Sequence, residues 1–332
     1  MMIIYDNIIR SLQTYGGVSV YFDNLIHRVV NDNLEHEIIN YNNIQKISGA
    51  KQSRFLERYR ACDCGEIQEG IFHSSYYRLP LNSDLSIITT VHDFTYEKYI
   101  KGPALWVHHW QKNKAIKFSD LVICVSQNTA NDLLKYIPIP EHKIRVVHNG
   151  VSENYHPTSH NSTVNNEVLF VGARSGYKNF DLAVQAISAM PELSLSVVGG
   201  GDFSEKEKAL LNELIPGRYK WLGRLSDAQL NVEYNQAYAL IYPSSYEGFG
   251  IPVLEAMKAG CPVVAVNSSS IPEVAGDAAF LAEKTHRYAF IEGLKYVEAN
   301  RARLRDKGFL QASKFSWDKC YQETLSTYKK LL

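Results

Sequence analysis

The segment from Tyr238 to Asp277 leaves the backbone few paths. It opens on a strand-length apolar run, Ala239-Leu-Ile-Tyr242. A glycine corner follows, Tyr246-Glu-Gly-Phe-Gly250, then Ile251-Pro-Val-Leu-Glu255 and a second apolar run from Pro262 to Val266. Pro252 suits a first helical turn, where its missing N–H would be unpaired anyway. Gly248 and Gly250 allow a tight turn and leave room for a ligand beside the backbone. The helix N-terminus then offers free N–H groups and a positive dipole end, which suits a phosphate. Glu247 on the loop and Glu255 about one turn into the helix bracket this corner. A carboxylate beside an anion site needs another partner, and sugar or ribose hydroxyls fit. Taken singly, each glutamate is equally an ordinary solvated charge.

The rest of the chain repeats the strand–turn–helix pattern. Met2-Ile-Ile-Tyr5 reads as a buried strand. Gly16-Gly17 precedes a helix with Val20, Phe22, Leu25, Ile26 and Val29 on one face. Strand, glycine turn and helix cradle phosphates in nucleotide folds, although two glycines alone also make a plain turn. Residues Asn40 to Gly70 are polar and read as a helix and loops. Leu85–Val91 is a β-branched strand ending in His92-Asp93. Polar residues at the carboxyl end of a buried parallel strand lie where ligands bind. His92 is therefore a site candidate or a loop cap, and His73 is equally placed. Gly102–Phe118 reads as a helix with Leu105, Val107, Trp110 and Ile116 among its apolar positions. Trp106, His108, His109, Lys112, Lys114 and Lys117 make the other faces aromatic and basic. Such a face is solvated, or it meets an acidic acceptor or a membrane. Leu121–Val125 and Lys143–His148 are further strands, and Ser126 is an N-cap candidate.

Glu153–Asn166 has almost nothing to bury and reads as a linker. Val168–Val171 starts a second half. The loop Gly172–Asn179 carries Arg174 and Lys178, a bidentate gripper and a point charge suited to a diphosphate, or else two surface cations. Leu193–Val198, Gly199-Gly-Gly201, a helix from Phe203, Trp221-Leu-Gly-Arg224 and a Ser226-capped helix follow. Alternating strands and helices argue α/β with two parallel sheets. The expected division is 1–152, a linker 153–166, 167–312, and a terminal helix 313–332.

The 332 residues suffice for two such domains, and a net formal charge of zero argues against nucleic acid as a partner. Five scattered cysteines read as reduced thiols of a cytoplasm. No apolar run reaches membrane-span length, so the expectation is a cytoplasmic chain, soluble or peripheral at the inner face of a membrane. The chain has no Asp-x-Asp metal motif.

Glu247-Gly-Phe-Gly-Ile-Pro-Val-Leu-Glu255 is similar to the two-glutamate signature of the retaining glycosyltransferases of family four. Ala256–Ala265 and Ile271-Pro-Glu-Val-Ala-Gly-Asp277 fit the same family. The resemblance implies the GT-B fold: two Rossmann-like domains facing a cleft, with the helix Ser316–Tyr328 crossing back to the first. It implies a nucleotide-diphosphate sugar donor and retention of anomeric configuration; with no Asp-x-Asp motif, and two cations beside a helix end, no metal cofactor is expected. By the same resemblance Glu255 holds the ribose. Arg174, Lys178 and the backbone of Gly248-Phe249-Gly250 hold the diphosphate, with Gly16-Gly17 facing it. The turn at Gly223 touches the base, and Glu247 and His92 position the transferred sugar. The expected acceptor is a glycan or lipid-linked glycan, and the aromatic, basic faces of the Gly102–Phe118 helix leave peripheral membrane contact through the first domain open. Thr90-Val-His-Asp93 and the Gly172 loop look most like mannose-type transferases of bacterial surface polysaccharides. GDP-mannose or a GDP-deoxysugar therefore stands beside UDP-sugars as donor. A nucleotide-sugar epimerase or hydrolase of the same fold, or a non-catalytic sugar-nucleotide binder, are the alternatives.

Overall fold

The computed structural model describes residues 1–13, 16–42, 50–82, 84–158, 164–174 and 176–332. They form two compact units, Met1–Asn149 with Trp317–Leu332, and Gly150–Ser316.

The first unit runs β1 (Ile3–Asp6), α1 (Ile9–Leu12), α2 (Gly17–Asn31), β2 (His36–Ile39), β3 (Tyr41–Asn42), β4 (Lys51–Gln52), β5 (Ile71–Ser74), β6 (Ser86–Val91), α3 (Thr95–Tyr99), α4 (Pro103–Phe118), β7 (Leu121–Cys124), α5 (Gln127–Tyr136) and β8 (Ile144–Val146). Its main sheet is ordered β2-β1-β5-β6-β7-β8 and every pairing is parallel. The winding reverses between β1 and β5. Strands such as Leu121-Val-Ile-Cys124 are buried at every position, as a covered parallel sheet demands.

Two expectations for this unit change. Among the described residues of 40–70 there is no α-helix, only the short β3–β4 ladder and one 3₁₀ turn at Glu57–Tyr59; residues 43–49 lie outside the described part. The segment is gathered by Arg78, whose fully buried guanidinium pairs with Asp6 at 2.9 Å and Glu57 at 2.7 Å and donates to the Arg60 carbonyl. Helix α4 keeps Ile116 inside and Trp106, Lys114 and Lys117 outside as expected, but exchanges other positions between its faces. It buries His108, Gln111, Lys112, Ala115 and Ile116 and exposes Trp106, Val107, Trp110 and Phe118. The reason is Lys112, which lies 3.5 Å over the Phe94 ring, donates to the Asp93 carbonyl and pairs with buried Glu97.

The second unit runs β9 (Glu167–Val171), α6 (Phe180–Ser188), β10 (Ser194–Val198), α7 (Glu205–Leu214), β11 (Tyr219–Gly223), α8 (Asp227–Gln236), β12 (Ala239–Tyr242), α9 (Ile251–Ala259), β13 (Val263–Val266), α10 (Ile271–Ala275), β14 (Phe280–Ala282) and α11 (Arg287–Ala312). Its sheet is ordered β11-β10-β9-β12-β13-β14, again all parallel, and reverses between β9 and β12. Ser204 and Ser226 each make a full capping box. The expected linker is not a free tether in its described part. Tyr155 is buried, its hydroxyl reaches Asp227, and the His156 and Thr158 N–H groups donate to Asn231 and Asn235 of α8. Side-chain amides of α8 replace the apolar contacts the segment lacks. The unit boundary therefore falls at Asn149/Gly150; residues 159–163 lie outside the described part.

The last helix, α12 (Trp317–Tyr328), belongs to the first unit. Tyr328 Oη meets Tyr5 Oη at 3.0 Å and His73 Nδ1 at 2.6 Å, and His73 Nε2 meets Thr90 at 2.8 Å. Both ring nitrogens of His73 are thus engaged, one with this helix and the other with β6. Burial drives its pKa down to about 3, so the ring is neutral.

Candidate active site

In an open parallel sheet ligands bind beyond the carboxyl ends of the strands, where the strand order reverses. In the second unit that point lies between β9 and β12. The loops leaving them are residues 172–179, with Ser175 outside the described part, and 243–250. Asn179 ties them together, donating to the Pro243 carbonyl at 2.8 Å and to Ser245 Oγ at 2.7 Å. The Ser245 N–H in turn donates to the Tyr177 carbonyl.

Across this tie Lys178 Nζ and Glu247 Oε1 form an ion pair of 2.5 Å, with the two side chains 14% and 13% exposed. The Tyr242 hydroxyl is a further partner of Glu247. Three consecutive serines after β13 hold the Glu247 loop. Ser268 donates to the Ser245 carbonyl, Ser269 Oγ accepts from the Glu247 N–H, and Ser270 donates to the carbonyls of Glu247 and Phe249. Sequence reading missed this triplet; its signal was a run of small hydroxyl residues at the end of a core strand.

The chain enters α9 through Gly250, at φ 104°, where an added Cβ would lie 2.7 Å from Ile271 Cδ1. Only glycine fits, and α9 starts with no side-chain cap. The Phe249 ring is buried against Phe315, so at this position only the backbone is left for a ligand. Glu255 is half-buried one turn on. Its carboxylate accepts from the Tyr234 hydroxyl at 3.1 Å and is also bonded to Tyr155. Burial, with a smaller push from Asp227, raises it to about 7.

Arg174 is held by groups of its own chain. Its guanidinium pairs with Glu207 at 2.7 Å and donates to the carbonyls of Gly199, Gly201 and Asp202, stacked on Phe203. The side chain is only 4% exposed. Gly199, Gly200 and Gly201 all have positive φ, and a Cβ on Gly200 would approach Arg174 Nη1 within 2.7 Å. Arg174 is therefore the strut of this turn rather than a free cation. Gly223 borders the same turn, accepting from the Gly199 N–H at 2.8 Å.

In the first unit Gly16 is the extended N-cap of α2, with the Gln13 side chain 2.8 Å from where a Cβ would stand, and Gly17 is its first residue, with open space there; Tyr15 lies outside the described part. His92, at the end of β6, has a buried Nε2 with no hydrogen-bond partner, and Tyr21 packs edge-on against its ring. Burial lowers its pKa to about 4, so it too is neutral.

Comparison with known proteins agrees with this layout. Residues 152–309 match the family described as Glycosyl transferases group 1, and residues 66–155 match Glycosyltransferase Family 4. The O-antigen chain mannosyltransferase B of Escherichia coli is 27% identical over 317 residues, covering 85% of this chain and 81% of that protein. The sucrose-phosphate synthase of Thermosynechococcus elongatus superposes with a TM-score of 0.81 at 17% identity, over 100% and 99% of the two chains. The lipopolysaccharide outer core galactosyltransferase WaaB superposes with a TM-score of 0.70 at 18% identity, over 100% and 99%. With two parallel Rossmann-like sheets, a glycine corner between two glutamates, and family matches running from residue 66 to residue 309, the chain belongs to the group 1 glycosyltransferases of GT-B fold.

Proposed function

We propose that the chain moves a mannose-type hexose, from GDP-mannose or a GDP-deoxysugar, to a glycan or lipid-linked acceptor during assembly of a bacterial surface polysaccharide. The observation that carries this is the Lys178–Glu247 pair at the switch point, beside the uncapped start of α9 and one turn from Glu255. The mannose-type sugar is supported by the named activity of the E. coli relative. UDP-sugars are the competing donors.

The diphosphate lies over the α9 N-terminus, where backbone N–H groups and the helix dipole favour it. Lys178 exchanges part of its hold on Glu247 for a phosphate oxygen. Glu247 then accepts hydroxyls of the transferred sugar, and ionised Glu255 accepts the ribose hydroxyls. Arg174 keeps the Gly199 turn in shape for the nucleotide base. His92, neutral and with Nε2 unpaired, suits a sugar hydroxyl. In the reaction the bond between C1 and the β-phosphate oxygen breaks, and the acceptor oxygen bonds C1 on the same face. The acceptor proton passes to the leaving phosphate, and configuration is retained. Charge develops on the diphosphate, where fixed positive groups lower the barrier most. Lys178 and the helix end fill that role without a metal. A lipid-linked acceptor places this work at the cytoplasmic face of a membrane.

The test is incubation with GDP-mannose, other GDP-sugars and UDP-sugars, with and without acceptor glycans, in magnesium and in excess EDTA. The expected result is nucleoside diphosphate released from a GDP-sugar only when acceptor is present, equally in both buffers. Release without acceptor makes the chain a hydrolase, and binding without release makes it a binder. Activity lost on chelation and restored by a divalent ion removes the metal-free reading.

A further inference from the structure

Helix α4 carries three large, exposed aromatic side chains outside the candidate site. Trp106 is 76% exposed, Trp110 58% and Phe118 64%. Together with Lys114 and Lys117 they recur at helical spacing and form one stripe. The stripe lines an open, mainly apolar cleft of about 750 Å³ that reaches Leu105 and Tyr136. Soluble chains rarely leave such a patch open without a use for it.

The charges around the stripe are one-sided. Glu97 is bound by Lys112 and His109, Asp132 by Lys98, and Asp120 accepts from the Ile87 N–H. Glu97 and Asp132 are thus neutralised from inside the unit, and Asp120 is held by the backbone. Lys101, Lys114 and Lys117 have no carboxylate partner among the described residues, and Lys114 Nζ stands 5.4 Å from the centre of the Trp110 ring. Indole rings beside free lysines match the layer where a bilayer passes from acyl chains to headgroups. Unpaired cations complement anionic headgroups there. The burial of Lys112 is what makes this arrangement. By turning its own polar face into the unit, α4 is left with its aromatic face outside.

The geometry points to the Trp106–Phe118 face of α4 as a docking surface for an anionic lipid bilayer, with the two tryptophans entering the interface and Lys114 and Lys117 meeting the headgroups. This deepens the reading of a lipid-borne acceptor and rests on it for its purpose. The binding itself is measured without donor or acceptor, so its failure is distinct from a failure of sugar transfer. Among the described residues no helix is long and apolar enough to cross a membrane, so contact of this kind is interfacial.

The full chain is sedimented with vesicles of phosphatidylcholine alone, or mixed with phosphatidylglycerol, and its tryptophan fluorescence is read with brominated lipids. Wild type is expected to bind the anionic vesicles, to release at high salt, and to be quenched. Lys114→Gln with Lys117→Gln should weaken binding roughly thirtyfold, at about fivefold per lysine. Trp106→Ala with Trp110→Ala should weaken it at least about tenfold and remove most of the quenching. All four positions are exposed, so thermal melting and transfer to a soluble acceptor should be unchanged. No binding of wild type to anionic vesicles overturns the proposal. So does equal binding by the variants, or a wild type that self-associates through this face and ignores vesicles.

Discussion

The two sheets reverse direction at equivalent places, and each reversal carries an ion pair, yet the pairs differ in kind. In the first unit Asp6 and Arg78 meet with both side chains 0% exposed. Ser74 donates to Asp6, Glu57 takes the other arm of Arg78, and Ser75 closes over the Asp6 carbonyl. That crevice is filled by the protein itself. In the second unit Lys178 and Glu247 stay partly exposed beside an uncapped helix start and glycine backbone. A parallel sheet thus creates two similar opportunities, and side-chain size decides which remains open. A long arginine rooted in the loop after β5 plugs one; glycines around β10 and α9 leave the other accessible.

The largest expected effect tests the filled crevice. Arg78→Met leaves Asp6 buried without its cation, while Glu57 keeps Arg54, and removing one partner of a buried pair costs about 3–5 kcal/mol. Chemical denaturation should show that loss in the first unit. A variant that melts like wild type would mean the plug carries no weight. Next comes the open pair. Lys178→Ala should lower kcat by about a hundredfold or more, equivalent to about 2.7–4 kcal/mol of lost charge stabilisation, with melting little changed. If it instead unfolds as Arg78→Met does, the two pairs are alike and the contrast fails.

A smaller effect is expected at Arg174. Lysine keeps the charge but cannot hold three carbonyls and Glu207 together. Arg174→Lys should raise the donor KM about tenfold, the worth of one or two hydrogen bonds, and leave kcat nearly intact. A hundredfold fall in kcat at unchanged KM would show that the guanidinium reaches the reacting phosphate, as its place in the sequence suggests.

The smallest effect is a pH dependence at Glu255. Burial first, then Asp227, raises this carboxyl to about 7. If the ionised form takes the ribose, nucleoside diphosphate affinity should rise with pH up to about 7 and level off above it. Glu255→Gln should flatten that profile. Tyr155→Phe removes a hydrogen bond that favours the ionised form, so the inflection should move up. The same shift destabilises the free fold as pH climbs from the ordinary glutamate value toward 7. Over that range the native chain keeps a proton that the unfolded chain has released. Calorimetric titration of wild type and both variants from pH 5.5 to 8.5 reads this directly; identical profiles for wild type and Glu255→Gln would place the titrating group elsewhere.

Much of the second unit could be read from local chemistry. Gly250, Pro252 and the apolar runs on either side permit one strand–corner–helix path, and Ser226 announces a helix start by the bonds it makes within three residues, as Ser126 does in the first unit. The contacts of Arg174 could not be read, because a cation after a strand looks the same whether it faces a ligand or a turn of its own chain. Its partners, Gly199 to Asp202 and Glu207, lie 25 to 33 positions away. On α4 the burial of Lys112 and the exposure of Trp110 were hidden for a similar reason. Hydropathy puts lysine outside, and nothing local tells that Phe94, Asp93 and Glu97 wait to receive Lys112. Tyr155 and Tyr234, the partners of Glu255, gave no signal either, since tyrosine packs in any core.

What the sequence determined by itself is the set of short-range choices: strands where β-branched runs must be covered, helices where serine or proline starts them, turns where only glycine can bend. These depend on neighbours within a few residues, so the chain states them openly. The tertiary structure alone decided which charges are spent inside the protein and which stand ready for a ligand. Arg78 and Lys178 are both cations in loops after parallel strands. Only the folded sheets, which bring Asp6 and Glu57 around one and leave Glu247 and a bare helix end beside the other, separate a structural pair from a binding one. The physical reason is distance along the chain: the free energy of a charge is set by groups within a few ångströms, and those groups come from segments tens of residues apart.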